Sequence, residues 1–281
     1  MAEQRDAVTF LVAGGLTVAW ACRLMQLART TFRYVAQPRD DDAHVLAQIQ
    51  ALAAQYPRYG YRRISVLLRR TLPINEKRVR RLWRAARLQV VRMRRRRVRP
   101  ARPTAVGAAY PGHIWAYDFV ADALVDGTPL RILTVMDEFT REGLAIEVAL
   151  TTSAERVIQV LTTLVAAHGT PAYLRSDNGP EFVAAAVQAW LARQQVQTLY
   201  IEPGKPWQNG KEERFTGTVR DECLNMHQFF SVAESRVRLS TFRAQYNRER
   251  PHSRLGYLTP LAFKMAWYEA QAQLQDPHME S

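Results

Sequence analysis

Residues 175–182 read R-S-D-N-G-P-E-F, and residues 201–215 read I-E-P-G-K-P-W-Q-N-G-K-E-E-R-F. The apolar run Ala172-Tyr173-Leu174 just before them has the length of a short buried strand. Asn178-Gly179 is a turn signal, and Pro180 suits the first position of a helix, where a missing N–H costs nothing. Asp177 therefore closes a strand, where the backbone holds it rigidly and aims it into a crevice. A second helix is expected from about Gln208, and it carries Glu213. Asp118 lies in the run 113–120, which reads as another strand. In it Trp115, Tyr117 and Phe119 point one way, and Ala116, Asp118 and Val120 the other. An acid on the core-facing side of a central strand is costly unless it is paired or binds a metal. Three acids on three rigid elements form an oxygen cage for a hard cation such as Mg²⁺, which keeps several waters and needs few carboxylates. Glu212 competes with Glu213 for the third place. Asn209, Glu213, Thr216 and Arg220 share one helix face and Glu212 sits about 100 degrees round from it, which is only part of the ground for preferring Glu213.

The charge is divided as unevenly as the motifs. The 281 residues carry 39 Lys and Arg against 26 Asp and Glu, a formal net charge of +13. Residues 1–105 hold 23 of the basic and 6 of the acidic side chains, whereas 106–281 hold 16 and 20. A basic half joined to a mildly acidic half implies that one grips a polyanion, double-stranded DNA, while the other holds cations. The length suffices for a catalytic domain with its own core plus a smaller module. Two cysteines, Cys22 and Cys223, offer neither a disulfide framework nor metal spacing, which fits a reducing, cytoplasmic setting. The apolar stretch 10–22 is interrupted by Gly14-Gly15 and preceded by Glu3 and Asp6, so export is not expected; no run approaches the roughly 18 apolar residues of a membrane span.

Along the chain, residues 6–34 read as two short helices around a turn, with Thr30 or Thr31 as the cap of the second. Residues 43–56 have helical apolar spacing. Over 76–88 an apolar seam of Val79, Leu82, Trp83 and Ala86 is surrounded by Lys77, Arg78, Arg80, Arg81, Arg84 and Arg87. Such a helix docks on a core while facing phosphates, and Arg62, Arg63, Arg78 and Arg81 are expected to contact DNA. The run from Arg92 to Arg102, with Arg94, Arg95, Arg96 and Arg97, repels itself and cannot bury a core, so it reads as a connector that lies along a groove. Beyond Pro111 three strands are expected over 113–121, 130–137 and 143–150, then helix 154–167, strand 171–176, helix 180–193 and strand 196–201. Three meandering strands followed by strand–helix–strand imply a mixed α/β sheet covered by helices. Lys205, Trp207 and Asn209 are expected to supply a phosphate contact, a stacking surface and a polar clamp, with a core position as an equal alternative for Trp207.

In combination, Asp118, the S-D-N-G-P-E-F around Asp177 and the P-G-K-P-W-Q-N-G-x-x-E-R-F around Glu213 resemble the DDE transposase and retroviral-integrase superfamily, with 35 residues between the second acid and the third. Y-G-Y-R-R-I at 59–64, D-E-C-L-N at 221–225 and Y-N-x-x-R-P-H-x-x-L-G-Y-L-T-P at 246–260 are similar to the second-reading-frame product of insertion-sequence-three transposases. Residues 21–34 resemble the helix-turn-helix that opens many of those proteins. Lys211 and Glu212 stand where relatives carry apolar residues. The resemblance implies an RNase H-like five-stranded core with an all-α DNA-binding region before it. It implies Asp118, Asp177 and Glu213 as catalytic ligands of two Mg²⁺ ions, replaceable by Mn²⁺, and DNA cleavage with 3′-hydroxyl strand transfer at element ends. It also brings Arg250 and His252, with Asn247, towards the DNA cleft. A homo-oligomer on DNA, a first-reading-frame partner and a bacterial, nucleoid-associated location are implied on the same ground. The expected domains are 1–36 (helix-turn-helix-like), 37–91 (helical, DNA-binding), 92–108 (basic linker), 109–270 (catalytic) and 271–281 (tail). Two other readings stay open: a non-catalytic DNA-binding regulator, and a nuclease of the same fold without strand transfer.

Overall fold

The computed structural model describes residues 2–35, 39–90, 106–151, 153–176, 184–200 and 210–275. The chain divides into two compact units, 1–48 and 49–281.

In the first unit, α1 (Ala2–Ala13), α2 (Val18–Leu24) and α3 (Arg29–Arg33) close over Val8, Ala21, Cys22 and Leu27. The apolar stretch is broken where the glycines stand: Gly15 turns at φ +98°, and the Thr17 hydroxyl then caps α2 by accepting the Trp20 N–H at 3.4 Å. The cap expected at Thr30 or Thr31 is not formed. Both lie inside α3, which starts after Ala28 without a side-chain cap, and the Thr31 carbonyl accepts from the Arg5 guanidinium instead.

The helix α4 (Asp42–Gln55) contains the division between the units. In the second unit α5 (Tyr61–Leu68) and α6 (Glu76–Ala85) pair through Ile64, Leu67 and Leu68 on one and Val79, Leu82 and Trp83 on the other. Asn75 caps α6 by accepting the Lys77 N–H at 2.8 Å. The helix ends three residues short of the expected 88, where Arg87 adopts φ 54° and the Leu88 N–H returns to the Trp83 carbonyl.

The sheet has the order β3-β2-β1-β4-β5, from β1 (Ile114–Ala123), β2 (Pro129–Asp137), β3 (Gly143–Ala149), β4 (Tyr173–Ser176) and β5 (Gln197–Tyr200). The first three strands form an antiparallel meander, and β4 and β5 run parallel to β1. The alternation in β1 sorts side chains as its sequence dictates. Trp115 and Tyr117 join Leu133, Val135 and Leu174 beneath α7 (Ala154–His168) and α8 (Ala185–Arg193). Ala116 and Val120 join Ile132, Met136 and Phe215 beneath α9 (Glu212–Glu222) and α10 (Val232–Arg248). The last helix, α11 (Pro260–Gln275), packs on α10. The helix expected from Pro180 is described from Ala185, since 177–183 lie outside the described residues, as do 201–209; the helix expected from Gln208 begins at Glu212, after a turn at Gly210 and Lys211. No helix of the described residues is long and apolar enough to cross a membrane.

One close approach seats α9 on the sheet. At Gly143, a Cβ would stand 2.8 Å from the Phe215 ring, so only glycine lets the helix come this near. Asn247 holds the same residue by both backbone groups, accepting from its N–H and donating to its carbonyl at 2.9 Å each. Gly143→Ala is expected to destabilise the fold by about 1–3 kcal/mol, because the buried ring has nowhere to turn. Urea unfolding checks this, and an unchanged midpoint would show that the contact yields freely.

Candidate active site

On β1 Asp118 sits opposite Thr134 of β2, on the face covered by α9. It is half-buried, and its Oδ1 accepts the Phe119 N–H at 2.7 Å. Beside it β4 runs parallel, pairing Arg175 with Ala116 and ending at Ser176, the residue before Asp177. Asp177 itself lies outside the described residues.

The start of α9 resolves the two adjacent glutamates into different roles. Phe215 and Val219 turn to the sheet, and Glu212 shares their face, with 0% of its surface exposed, while Glu213 is exposed. Thr134 Oγ1 lies 2.7 Å from Glu212 Oε1 and 3.1 Å from the Asp118 carbonyl oxygen. A hydroxyl carries one proton and cannot donate to both. The arrangement is satisfied when a protonated Glu212 donates to Thr134 and Thr134 donates to Asp118. Burial holds the Glu212 carboxyl well above the usual carboxylate range despite the Thr134 hydrogen bond, and the charges of Asp118 and Glu138 push it the same way. Its Oε2 has no hydrogen-bond partner among the described residues.

A second buried acid anchors the helix start. Glu138, at the end of β2, binds Arg175 of β4 through Oε1 and Lys211 through Oε2, both at 2.7 Å. Lys211 is the residue before α9, so this bridge ties the helix start to two strands and leaves Glu138 neutralised. What remains near Asp118 is oxygen chemistry: Asp118 itself and the orphaned Glu212 oxygen on the covering helix, with Glu213, the next residue of α9, exposed. That donor set fits a hard cation. Among the described residues no three acidic, histidine or cysteine side chains stand close enough together to hold one.

The expected DNA-contacting residues separate into three groups. Arg62 and Arg81 are exposed and Arg78 is half-buried, all on α5 and α6. By contrast Arg63 and Arg250 converge on one carboxylate. Glu222, at the end of α9, receives Arg63 at 3.0 Å and a two-pronged contact from Arg250 at 2.7 Å per arm. Burial alone would lower the Arg250 guanidinium pKa; the Glu222 carboxylate reverses this and raises it. His252 packs edge-on against Tyr246, ring centroids 4.7 Å apart. Arg94, Arg95, Arg96, Arg97, Lys205, Trp207 and Asn209 lie outside the described residues. Asn247 is buried in the Gly143 clamp rather than facing the acids.

Sequence reasoning missed Glu222, Glu138 and Thr134, which fix the two ends of α9 and its contact with β1 and β2. For Glu212 a signal existed in its i, i+3, i+7 spacing with Phe215 and Val219.

Burial, then the charges of Arg250, Arg63 and Arg141, depress the His252 pKa from 6.5 to about 2. The unfolded chain therefore binds a proton that the fold refuses, and stability contributed by neutral His252 is full above pH 6.5 and lost on acidification towards pH 2. Wild type should lose up to about 1.4 kcal/mol more per pH unit below pH 6.5 than His252→Gln. Denaturant titrations at several pH values check it, and parallel pH profiles would refute it.

Known proteins match this arrangement at two levels. Residues 39–97 match an HTH-like domain family, and residues 108–206 and 194–260 match two integrase core domain families. The HTH-like match falls on 39–97 and not on the first 36 residues. An uncharacterized 31.7 kDa protein of insertion element IS407 from Burkholderia multivorans is 39% identical over 245 residues, covering 86% of this chain and 88% of the relative. Transposase InsD of insertion element IS2 from Escherichia coli is 27% identical, over 91% and 93% of the two chains. Among solved structures, a chain of the simian T-cell lymphotropic virus intasome in complex with the PP2A regulatory subunit B56 gamma superposes with a TM-score of 0.50 at 17% identity, covering 77% of this chain and 74% of that one. That likeness shows the fold.

Proposed function

The chain belongs to the integrase-core family of insertion-element transposases, polynucleotidyl transferases that act on DNA, and from that premise we propose that it cuts element ends and joins their 3′-hydroxyls to new DNA at Asp118, Asp177 and Glu213. The observation that carries the reading is the start of α9 seated over Asp118, with one glutamate sealed beneath and the other open to solvent. A ligand that shares a cation with a DNA phosphate must be reachable from outside. Glu213 meets that condition and Glu212 does not.

Bound Mg²⁺, two ions by the family resemblance and replaceable by Mn²⁺, would activate the attacking oxygen and stabilise the leaving one. The protein's own residues do the rest. Asp118 is held by its Phe119 N–H and by the Thr134 contact to its carbonyl, so its carboxylate needs no reorganisation. Lys211, fixed on Glu138, sets the helix start that presents Glu213. In cleavage, water oxygen bonds to phosphorus as the bond to the 3′ oxygen breaks, and that oxygen leaves as a hydroxyl. In joining, the same hydroxyl attacks a target phosphodiester and displaces its 3′ oxygen. No enzyme nucleophile is consumed.

Arg62, Arg78 and Arg81 serve the DNA backbone, with Arg94, Arg95, Arg96, Arg97, Lys205, Trp207 and Asn209 as further contacts. Arg63, Arg250 and His252 act from inside the protein by fixing the end of α9. Handling two element ends calls for at least two protomers, and a first-reading-frame partner and action on the bacterial nucleoid belong to the same proposal.

Asp118→Asn and Glu213→Gln should each lower Mg²⁺-dependent nicking of end-bearing DNA by more than about 100-fold. Glu212→Gln should retain most activity, because its amide still donates to Thr134. Loss in the Glu212 variant with an active Glu213 variant would exchange the two roles. Nicking without any joined product would reduce the enzyme to a nuclease.

A further inference from the structure

A cleft of about 490 Å³ opens between α5, α6 and the loop after α10. Its size falls in the range of sites that enclose a small ligand. Tyr61, Trp83 and Tyr257 give it aromatic walls, Arg62, Arg80 and Arg84 give it charge, and no acidic residue lines it. The guanidinium carbons of Arg62 and Arg80 both stand 5.7 Å from the centre of the Tyr61 ring, within cation–π reach. Arg80 and Arg84 are exposed, and among the described residues neither forms an ion pair with a carboxylate. Arg62 adds a 3.8 Å contact to Glu76 to its place over Tyr61.

The third wall carries an independent mark. Tyr257 adopts φ 67°, a backbone region that bulky side chains avoid, directly after Gly256 at φ 62°. Its N–H is held by the His252 carbonyl at 2.8 Å. The fold thus spends backbone strain to aim a tyrosine into an arginine-rich cleft, and such strain gathers at ligand sites.

Resting on the DNA-processing reading above, we propose that this cleft holds an unpaired nucleotide of the DNA substrate, with its base against the tyrosines and its phosphates on Arg62, Arg80 and Arg84. In a duplex each base face is covered by its neighbours, so aromatic walls in a recess of this size suit only a base that has left the stack. The cleft is also tied to the helix that carries the acids, since its residue Arg63 is bound to Glu222, nine residues along α9 from Glu213. At a helix rise of 1.5 Å those two glutamates stand about 14 Å apart along the axis, roughly four nucleotides of one strand before the length of the Arg63 side chain is added. An opened element end cut at Asp118 would therefore lead its frayed strand to Tyr61.

The test uses the full chain without divalent metal, so that binding is read apart from catalysis. Two duplexes of equal length are compared, one blunt and one with a short overhang that carries 2-aminopurine. Wild type should bind the overhang about tenfold or more tightly and quench its fluorescence by stacking. Tyr61→Leu, and separately Tyr257→Asn, whose side chain suits the left-handed backbone, should erase that preference while leaving blunt-duplex affinity intact. Arg84→Gln should weaken both DNAs and flatten the salt dependence. Equal affinity of wild type for the two DNAs, or an undiminished preference in both tyrosine variants, overturns the proposal. So does displacement of the overhang by free dAMP at micromolar concentration, which would mark a mononucleotide site. Because nicking by wild type and by Asp118→Asn is measured separately with Mg²⁺, failure of the cleft leaves the transposase reading standing, and the reverse holds as well.

Discussion

Phe215 pressed against Gly143 is the contact on which the arrangement depends. For the glutamates at the start of α9 to come near Asp118, the helix must lie close to the strand that carries it, and side chains on both surfaces normally hold the two apart. Here the missing Cβ at Gly143 lets the Phe215 ring sit in the sheet surface, and Asn247 prevents the glycine from drifting. With that helix lowered, Glu212 is driven into the interface and meets Thr134. Asp118 then has a neighbour beneath it and an exposed glutamate beside it. The two ends of the helix are fixed by ion pairs of the same composition, one acid with two basic side chains: Glu138 with Arg175 and Lys211, and Glu222 with Arg63 and Arg250. Breaking either would leave a buried charge unpaired, which is more damaging than the pair is stabilising.

The second ion-pair centre joins the helical region to the core. Beyond Arg63 and Glu222, Tyr56 donates to Glu249 at 2.7 Å, and Arg58 is bonded to Asp221. Motifs at 59–64, 221–225 and 246–252, far apart in the chain, therefore meet at one carboxylate. Their shared location explains why arginines that look ready for DNA are occupied within the protein. On α6, Arg80 and Arg84 are exposed and form no ion pair among the described residues, whereas Arg78 and Arg81 make contacts of their own.

Much of this was legible in the residues. The period-two alternation around Asp118 placed the aromatic residues on one layer and the acid on the other, and β1 obeys it. The three strands expected over 113–121, 130–137 and 143–150 match β1, β2 and β3 to within two residues at each end. The seam of α6 was visible because Val79, Leu82 and Trp83 recur at helical spacing. What escaped was non-local. A helical wheel separates Glu212 from Glu213 by about 100 degrees, yet which of them faces the sheet depends on where Phe215 and Val219 pack. The pairing of Arg250 with Glu222 spans 28 positions and that of Arg63 spans 159, distances over which a single sequence carries no local signal. The cap of the third helix was misplaced because that helix begins after Ala28, which leaves Thr30 and Thr31 inside it.

The central claim is that one exposed glutamate at the start of α9 shares a cation with Asp118 while its buried neighbour supports them from below. Crystals grown with Mn²⁺ and end DNA, measured at the manganese absorption edge, locate the ion by its anomalous signal independently of any activity. The account predicts a peak within about 2.5 Å of carboxylate oxygens of Asp118 and Glu213, with Asp177 completing the set and Glu212 turned to Thr134. A peak bound by Glu212 with Glu213 in solvent, or no manganese near Asp118 at all, would contradict it.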